Sequence, residues 1–570
     1  MTMKIRNIGA RLGWWRMLRR FGENRFKSIF KKKNYSMGRL VNPANSIFNE
    51  DLNSKIYVDK SEMVTDLNEL CRTNEKYICV SRARRFGKTM MTNLLAAYYS
   101  KGCNSRSLFQ GLKLAQHEGW DKYLNSSNVI LIDMNGRYWK SSDKKSVLKE
   151  LQSSVIGELG KEFPTVDLKD IIHISDAISV INNQLGETFT IIIDEYDVII
   201  RDPEADGQIL KEYIGFLNDL FKNNEIRKAI DLAYLTGILP ILRESVQSKL
   251  NNFKEFTMLS PKQLAPYFGF TEEEVNDLCE RFGLDKERCR EMYDGYIFPK
   301  VGHIYNPNSV AQAAADGIFE SYWSKTSKAE AITFYISADL DGIQDDITKL
   351  LEGKEISVDT NTYANDVKKF TSKDDVFTYL IHLGYLSYDY DTEKCRIPNA
   401  EIKREWFSVM EKAKDLESVY DICNSSSKLM RATEDGNEQT VAIALDDAHE
   451  TICNPLTYNR ESSMQSAILM AYLYAQKDYM VFSELTAGSG YADIVFIPLR
   501  ARKRAIIIEL KKDGDPEEAL NQILQRNYAH ALKRHPGKGA ILVGISYDHE
   551  NKKHRCKIRM VEDVKEIWRE

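Results

Sequence analysis

No stretch of the chain approaches the ~20 consecutive apolar residues that a membrane-crossing helix requires, which excludes a helical span. Neither sign of charge prevails. The 79 lysines and arginines meet 83 acids for a formal charge of −4, so whole-chain electrostatic capture of nucleic acid is excluded and only local basic patches remain to serve it. The nine cysteines are scattered, odd in number and without a C-x-x-C pair, as expected of free thiols in a reducing compartment. Neither an internal repeat nor a low-complexity tract is present, which sets aside a repeat architecture. What remains is a globular composition, 43% apolar and 28% charged, in 570 residues. At roughly 150 residues per unit, such a chain holds about three to four domains. The expected location is cytoplasmic.

The first 36 residues stand apart. Lys4, Arg6, Arg11, Arg16, Arg19 and Arg20 begin a run of cations opposed by one acid, Glu23, with Trp14, Trp15, Leu18 and Phe21 interleaved. A basic amphipathic segment suits a membrane surface, nucleic acid or a transit role. We read it instead as an upstream start, with Met37 as the beginning.

The most specific signal is Arg82-Ala83-Arg84-Arg85-Phe86-Gly87-Lys88-Thr89, one residue after the apolar run Tyr77-Ile78-Cys79-Val80. A Gly-Lys-Thr end between strand and helix is the mark of a phosphate-binding loop. Backbone N–H groups and the helix N-terminus cradle phosphate, the lysine reaches the outer phosphates, and the hydroxyl holds Mg²⁺. Here Arg82 stands where the first glycine of such a loop belongs. Arg82, Arg84 and Arg85 either neutralise phosphate or pair with nearby acids.

About a hundred residues on, the strand Thr190-Ile191-Ile192-Ile193 ends in Asp194-Glu195. An acid at the carboxyl end of a buried strand sits where ligands bind in open α/β sheets. Asp194 and Thr89 are the expected Mg²⁺ ligands, and Glu195 the group that activates water. Thr236, ending the strand at 231–237, is a candidate sensor of the outer phosphate, or a strand-end hydroxyl in a turn. Arg243 has no special claim as a finger for a neighbouring subunit. Runs at 77–80, 129–133, 190–194 and 231–237, with a candidate fifth at 256–259, alternate with helical patterns and predict an α/β fold with a parallel sheet.

These residues resemble a family of predicted AAA-like ATPases whose loop reads Arg-Pro-Arg-Arg-Phe-Gly-Lys-Ser/Thr. Ala83 replaces the usual proline. The likeness extends to Tyr57-Val58-Asp59-Lys60-Ser61, Asp194-Glu195-Tyr196-Asp197, Tyr293-Asp294-Gly295-Tyr296 and Tyr305-Asn306-Pro307. It implies ATP binding with Mg²⁺ at Arg84, Arg85, Phe86, Gly87, Lys88, Thr89, Asp194 and Thr236. Slow turnover or a switch role is equally compatible, as is a homo-oligomer formed through the ATPase domain.

Residues 271–369 read as helical and acidic. A helix over 375–381, a turn at 389–393, a strand at 395–397 and a helix from Pro398 suggest a winged-helix-like unit. No basic cluster marks its helices, so we read it as a packing module. From about Glu461 the pattern is helix, strand, hairpin, strand, helix and a last strand at 539–545.

Within that hairpin, two apolar strands flank Arg500, Arg502, Lys503 and Arg504. If it is regular about Ala501, Asp493 lies opposite Glu509. Paired Cβ atoms are then roughly 4.5–5.5 Å apart, and one divalent cation can bridge both carboxylates. Lys511 shares a sheet face with Glu509 and can orient a metal-activated water. The basic turn either contacts a nucleic-acid backbone or is a solvated tip. Lys533, Arg534 and His535 are a candidate extension of it.

Asp…Glu-x-Lys on a hairpin after a helix resembles the PD-(D/E)XK nuclease superfamily. That likeness implies Glu484 as a further metal ligand, and Gln522 and Tyr528 on the following helix. Tyr491 departs from relatives that carry arginine there, which bears on contact with substrate phosphate.

The expected organisation is a basic tail at 1–36, an AAA-like P-loop ATPase domain at 37–270, a helical and winged-helix-like middle at 271–415 and a nuclease-like domain at 416–570. The expected activity is ATP-controlled, Mg²⁺-dependent cleavage of DNA. The alternative is a nucleotide switch or scaffold that binds nucleic acid without cutting it.

Overall fold

The computed structural model describes residues 38–141, 143–202, 204–241, 250–323, 340, 342–361, 363, 370–410, 417–452, 461–487, 490–499, 503–525 and 539–562. At 417–419, 450–452, 461–463, 466, 483–487 and 490–491 the description is of the backbone alone. Residues 1–36, Arg243, Arg500, Arg502, Tyr528 and 533–535 lie outside it. Among the described residues no helix is long and apolar enough to cross a membrane. Among the described residues all eight cysteines are free thiols.

Five parallel strands form the first sheet: β1 (Tyr77–Ser81), β2 (Asn128–Asp133), β3 (Phe189–Asp194), β4 (Ile230–Gly237) and β5 (Lys254–Phe256). Their order is β2-β3-β4-β1-β5. Every residue of β1, β3 and β4 is buried, the signature of parallel strands covered on both faces. Ile78, Val80, Ile192 and Tyr234 pack on one side with the helix Lys88–Tyr99. Cys79, Ile130, Ile193 and Leu235 face the helices Val147–Glu162, Ile174–Leu185 and Gly207–Lys222 on the other. The fifth strand lies earlier than the run at 256–259 because Lys254 and Glu255, polar in sequence, carry its pairing with β1.

The middle region is less helical than its sequence suggests. β6 (Phe270–Thr271), β7 (Tyr296–Phe298) and β8 (Gly302–Tyr305) make a small antiparallel sheet, too short for a periodic signal. The winged-helix-like unit follows. The helices Ile343–Leu351 and Lys373–Leu383 accompany β9 (Ile356–Ser357), β10 (Ser387–Asp389) and β11 (Lys394–Arg396), ordered β10-β11-β9. Ser372 and Asp375 form a reciprocal capping box that starts the second helix. Trp323, Tyr385 and Trp406 share one apolar core with Ile78 and Val80 of the first sheet.

The carboxy-terminal sheet runs β12 (Tyr479–Ala487), β13 (Gly490–Pro498), β14 (Ala505–Lys512), β15 (Ala540–Asp548) and β16 (Lys553–Val561), in that spatial order. Only the β14–β15 pair is parallel, bridged by the helix Pro516–Gln525. β16 corrects the expectation that the strand at 539–545 is the last. Lys553, Arg555, Lys557 and Arg559 alternate along it and disguise it as a basic loop, but such charges suit the edge position it occupies.

Candidate functional site

The phosphate-loop sequence follows β1 at the carboxyl edge of the parallel sheet. Arg82 is fully buried. Its Nη1 donates to the carbonyls of Ser81 (2.9 Å) and Phe256 (2.8 Å), and its guanidinium lies 5.4 and 5.5 Å from the rings of Phe268 and Phe298. Burial pushes its pKa down to about 10. Among the described residues it pairs with no acid; it is a strut between loop and middle region.

Arg85 (φ +67°) and Gly87 (φ +85°) turn the backbone through the left-handed region before the helix Lys88–Tyr99. A Cβ on Gly87 would meet nothing within 4 Å, so its glycine answers to backbone conformation rather than crowding. Arg84 is exposed at the cavity, whereas Arg85 donates to the Tyr322 carbonyl at 3.3 Å. The Phe86 ring is buried edge-on against Tyr296, 5.2 Å between centroids, so its side chain anchors the loop.

Lys88 Nζ donates to the carbonyls of Arg82 (2.9 Å) and Ala83 (2.8 Å). Burial lowers its pKa to about 8, against the opposing pull of Asp194, Asp197 and Glu195. Thr89 Oγ1 donates to Asp194 Oδ2 at 2.8 Å, and Thr236 donates to the other oxygen. Asp194 Oδ1 also accepts from the Glu195 amide at 3.1 Å. Lys88, Thr89, Asp194, Glu195 and Thr236, far apart in sequence, are thus brought together. A hydroxyl beside a carboxylate is a hard oxygen donor set that fits Mg²⁺.

Glu195 has left-handed backbone (φ +49°), and burial raises its pKa while Arg201 opposes the rise. Arg201 Nη2 lies 3.4 Å from Glu195 Oε2, and its Nε pairs with Asp197 Oδ2 at 2.8 Å. Sequence reasoning assigned Arg201 no role. Its i,i+4 spacing from Asp197 is the one legible signal. Lys88, Thr89, Glu195 and Arg201 border a cavity of about 1280 Å³, which Tyr57, Trp139, Tyr267, Trp323 and Tyr379 help to line. That exceeds the roughly 300–1,000 Å³ of ordinary ligand pockets.

A second cluster lies on the carboxy-terminal sheet. Ile494 pairs with Ile508 and Val495 with Ile507, a register that, continued by one step, sets Asp493 beside Glu509. Asp493 Oδ2 accepts the Leu510 amide at 2.7 Å. Glu509 is 2% exposed and accepts from Gln522 Nε2, while Lys511 Nζ donates to Gln522 Oε1 at 2.5 Å. One amide therefore spans the carboxylate and the ammonium. Helical placement of Gln522, six residues after Pro516 in the helix Pro516–Gln525, makes this bridge.

Two carboxylates on neighbouring strands are again hard oxygen donors. Among the described residues no group of three or more His, Cys, Asp or Glu gathers as a metal cage. The Glu484 side chain lies outside the described residues. In the basic turn, Lys503 pairs with Glu434 (2.8 Å) and Asp478 (3.0 Å), and Arg504 with Glu562 (2.5 Å).

Comparison with known proteins finds two family models in the chain. Residues 47–247 match a predicted AAA-ATPase and residues 460–557 match the PD-(D/E)XK nuclease superfamily. The chain joins an AAA-ATPase-like domain to a PD-(D/E)XK domain.

Both clusters fall within these domains, the Lys88–Asp194 cluster in the first and the Asp493–Lys511 cluster in the second. A protein of Azotobacter chroococcum mcd 1, named "Uncharacterized protein in vnfD 5'region", is 26% identical over 274 residues, 47% of this chain and 50% of the relative. The chain thus matches about half the length of that relative. Among solved structures, the Aeropyrum pernix ORC2 protein (ADPNP-ADP complexes) is 10% identical over 64% of this chain and 96% of that one, with a TM-score of 0.30. AMPPCP-bound DnaA from Aquifex aeolicus is 10% identical over 69% and 93%, with a TM-score of 0.26.

Proposed function

We propose that the AAA-ATPase-like domain binds and hydrolyses ATP and thereby controls a Mg²⁺-dependent nuclease that acts on DNA. The bridge from Glu509 through Gln522 to Lys511, beside Asp493, carries the nuclease half of this reading. A purely binding domain has no need to fix a carboxylate, an amide and an ammonium on one sheet face. Bound Mg²⁺ supplies positive charge that lowers the pKa of water and offsets charge on the phosphate. Asp493 and Glu509 are the oxygens that would hold it, with Glu484 as the third acid. Lys511, steered by Gln522, aligns the attacking water and stabilises the phosphate.

In the ATPase half, Gly87 and the following amides receive phosphate, Lys88 leaves its loop carbonyls for the outer phosphates, and Thr89 and Asp194 are the groups that would hold Mg²⁺. Glu195 accepts the proton of the attacking water. Control has a physical route. Arg85 bonds to Tyr322, and Tyr322 and Phe319 pack in one core with Val495, Ile497 and Ile507 of the nuclease sheet. Assembly through the ATPase domain belongs to the proposal, with Trp139, 60% exposed at the cavity, as apolar surface for it.

The test is cleavage of linear and supercoiled DNA in Mg²⁺ or Mn²⁺, with and without ATP, beside a Glu509→Gln variant. Cutting by the wild type that Glu509→Gln abolishes, and that responds to ATP, is the expected result. ATP hydrolysis with no cutting under any condition selects the switch or scaffold instead.

A further inference from the structure

The short helix Val198–Arg201 begins directly after the Asp194–Asp197 run and ends in an arginine facing back toward it. Arg201 is held from two sides. Asp197, wholly buried, accepts the amides of Ile238 (2.9 Å) and Leu239 (2.8 Å) just beyond β4 and pairs with Arg201 Nε at 2.8 Å. The Arg201 amide returns to the Asp197 carbonyl at 2.8 Å. The guanidinium is thus tied to the sheet end that carries Thr236, and its outer nitrogen reaches Glu195 at 3.4 Å. Its side chain is 11% exposed and borders the same cavity as Lys88 and Thr89.

A planar guanidinium suits this task because two of its edges engage two acids at once in a fixed geometry. Glu195 needs such support. Its side chain is 33% exposed on a left-handed residue, so neither close packing nor a regular backbone fixes its carboxylate. We infer that Arg201 is a positioning residue for ATP hydrolysis: anchored through Asp197, it fixes the orientation of the Glu195 carboxylate toward the phosphate end of the cavity. This rests on the reading of the first domain as an ATPase. It assigns Arg201 no contact with nucleotide, which separates it from an arginine that binds phosphate.

The experiment measures kcat and KM for ATP and the Kd of a fluorescent ATP analogue in the full chain. Variants are Arg201→Ala, Arg201→Lys, Glu195→Gln and the double variant Arg201→Ala/Glu195→Gln. Orientation and base catalysis together are worth about 10²-fold or more. The expected result for Arg201→Ala is a kcat at least about tenfold lower, with KM and Kd within about twofold of wild type. Arg201→Lys, which keeps charge beside Asp197 and so guards against misfolding, recovers part of kcat. The double variant is no slower than Glu195→Gln alone, because the two act as a unit. Loss of analogue binding in Arg201→Ala, or losses that multiply in the double variant, overturns the assignment while leaving the ATPase reading intact. A wild type that binds the analogue but hydrolyses no ATP overturns the ATPase reading, and the assignment falls with it.

Discussion

Glu401 is a buried carboxylate that nothing in its local sequence singles out. Ser309 donates to both its oxygens (2.9 and 2.8 Å), and the amides of Tyr322 (2.7 Å) and Trp323 (2.9 Å) donate to Oε1. Burial nevertheless pushes its pKa up to about 7, outweighing these donors. The folded protein therefore holds this proton more tightly than the unfolded chain. Its contribution to stability is complete below about pH 4.5 and is lost as pH rises through about 7. Glu401→Gln removes that dependence. Measured from pH 5 to 8, the wild-type melting temperature should fall relative to the variant's, reflecting a loss of unfolding free energy of a few kcal/mol at most at about 1.4 kcal/mol per pKa unit. Parallel curves would show that Glu401 does not titrate across this range.

At the scale of elements, junctions matter more than interiors. Gly295 joins the helix Lys286–Tyr293 to β7 with φ +121°, and a Cβ there would lie 2.0 Å from the Pro398 carbonyl oxygen. Gly295→Ala should cost about 1–3 kcal/mol in backbone conformation alone, plus the clash. Gly317, a helix C-cap at φ +69° with nothing within 4 Å of its Cβ position, is the control and should cost about 1 kcal/mol. Urea unfolding of both variants checks the difference; equal losses would mean that Pro398 yields. The helix Lys373–Leu383 teaches a related lesson. It is buried from Asp375 to Leu383, so no face of it remains for a nucleic-acid groove. Its sequence shows why it forms, whereas only packing shows what covers it.

Across the whole molecule, Asp478 links the middle region to the carboxy-terminal sheet. It pairs with Arg404 (3.2 Å) of the helix Ala400–Met410 and with Lys503 (3.0 Å). Arg404 is 8% exposed, so removing the carboxylate takes one partner from a largely buried charge and should destabilise by about 1–3 kcal/mol. Under the proposed control, Asp478→Asn should weaken the response of DNA cleavage to ATP by several-fold while cleavage itself persists. Cleavage assays with and without ATP decide it; an unchanged response would route control elsewhere.

Local chemistry was legible in the sequence. Gly87-Lys88-Thr89 after an apolar strand, Asp194-Glu195 at a strand end, and the Asp493–Glu509 register each follow from short-range backbone rules, which act on neighbouring residues. The small sheet β6-β8-β7 and the cationic edge strand β16 were not legible, because their segments are short or polar and gain stability only from partners. Only the tertiary structure buried Arg82 against the rings of Phe268 and Phe298, set Arg201 against Glu195, and drew Glu401 into the interior. Burial and through-space charge decide those placements, and both depend on residues distant in the chain.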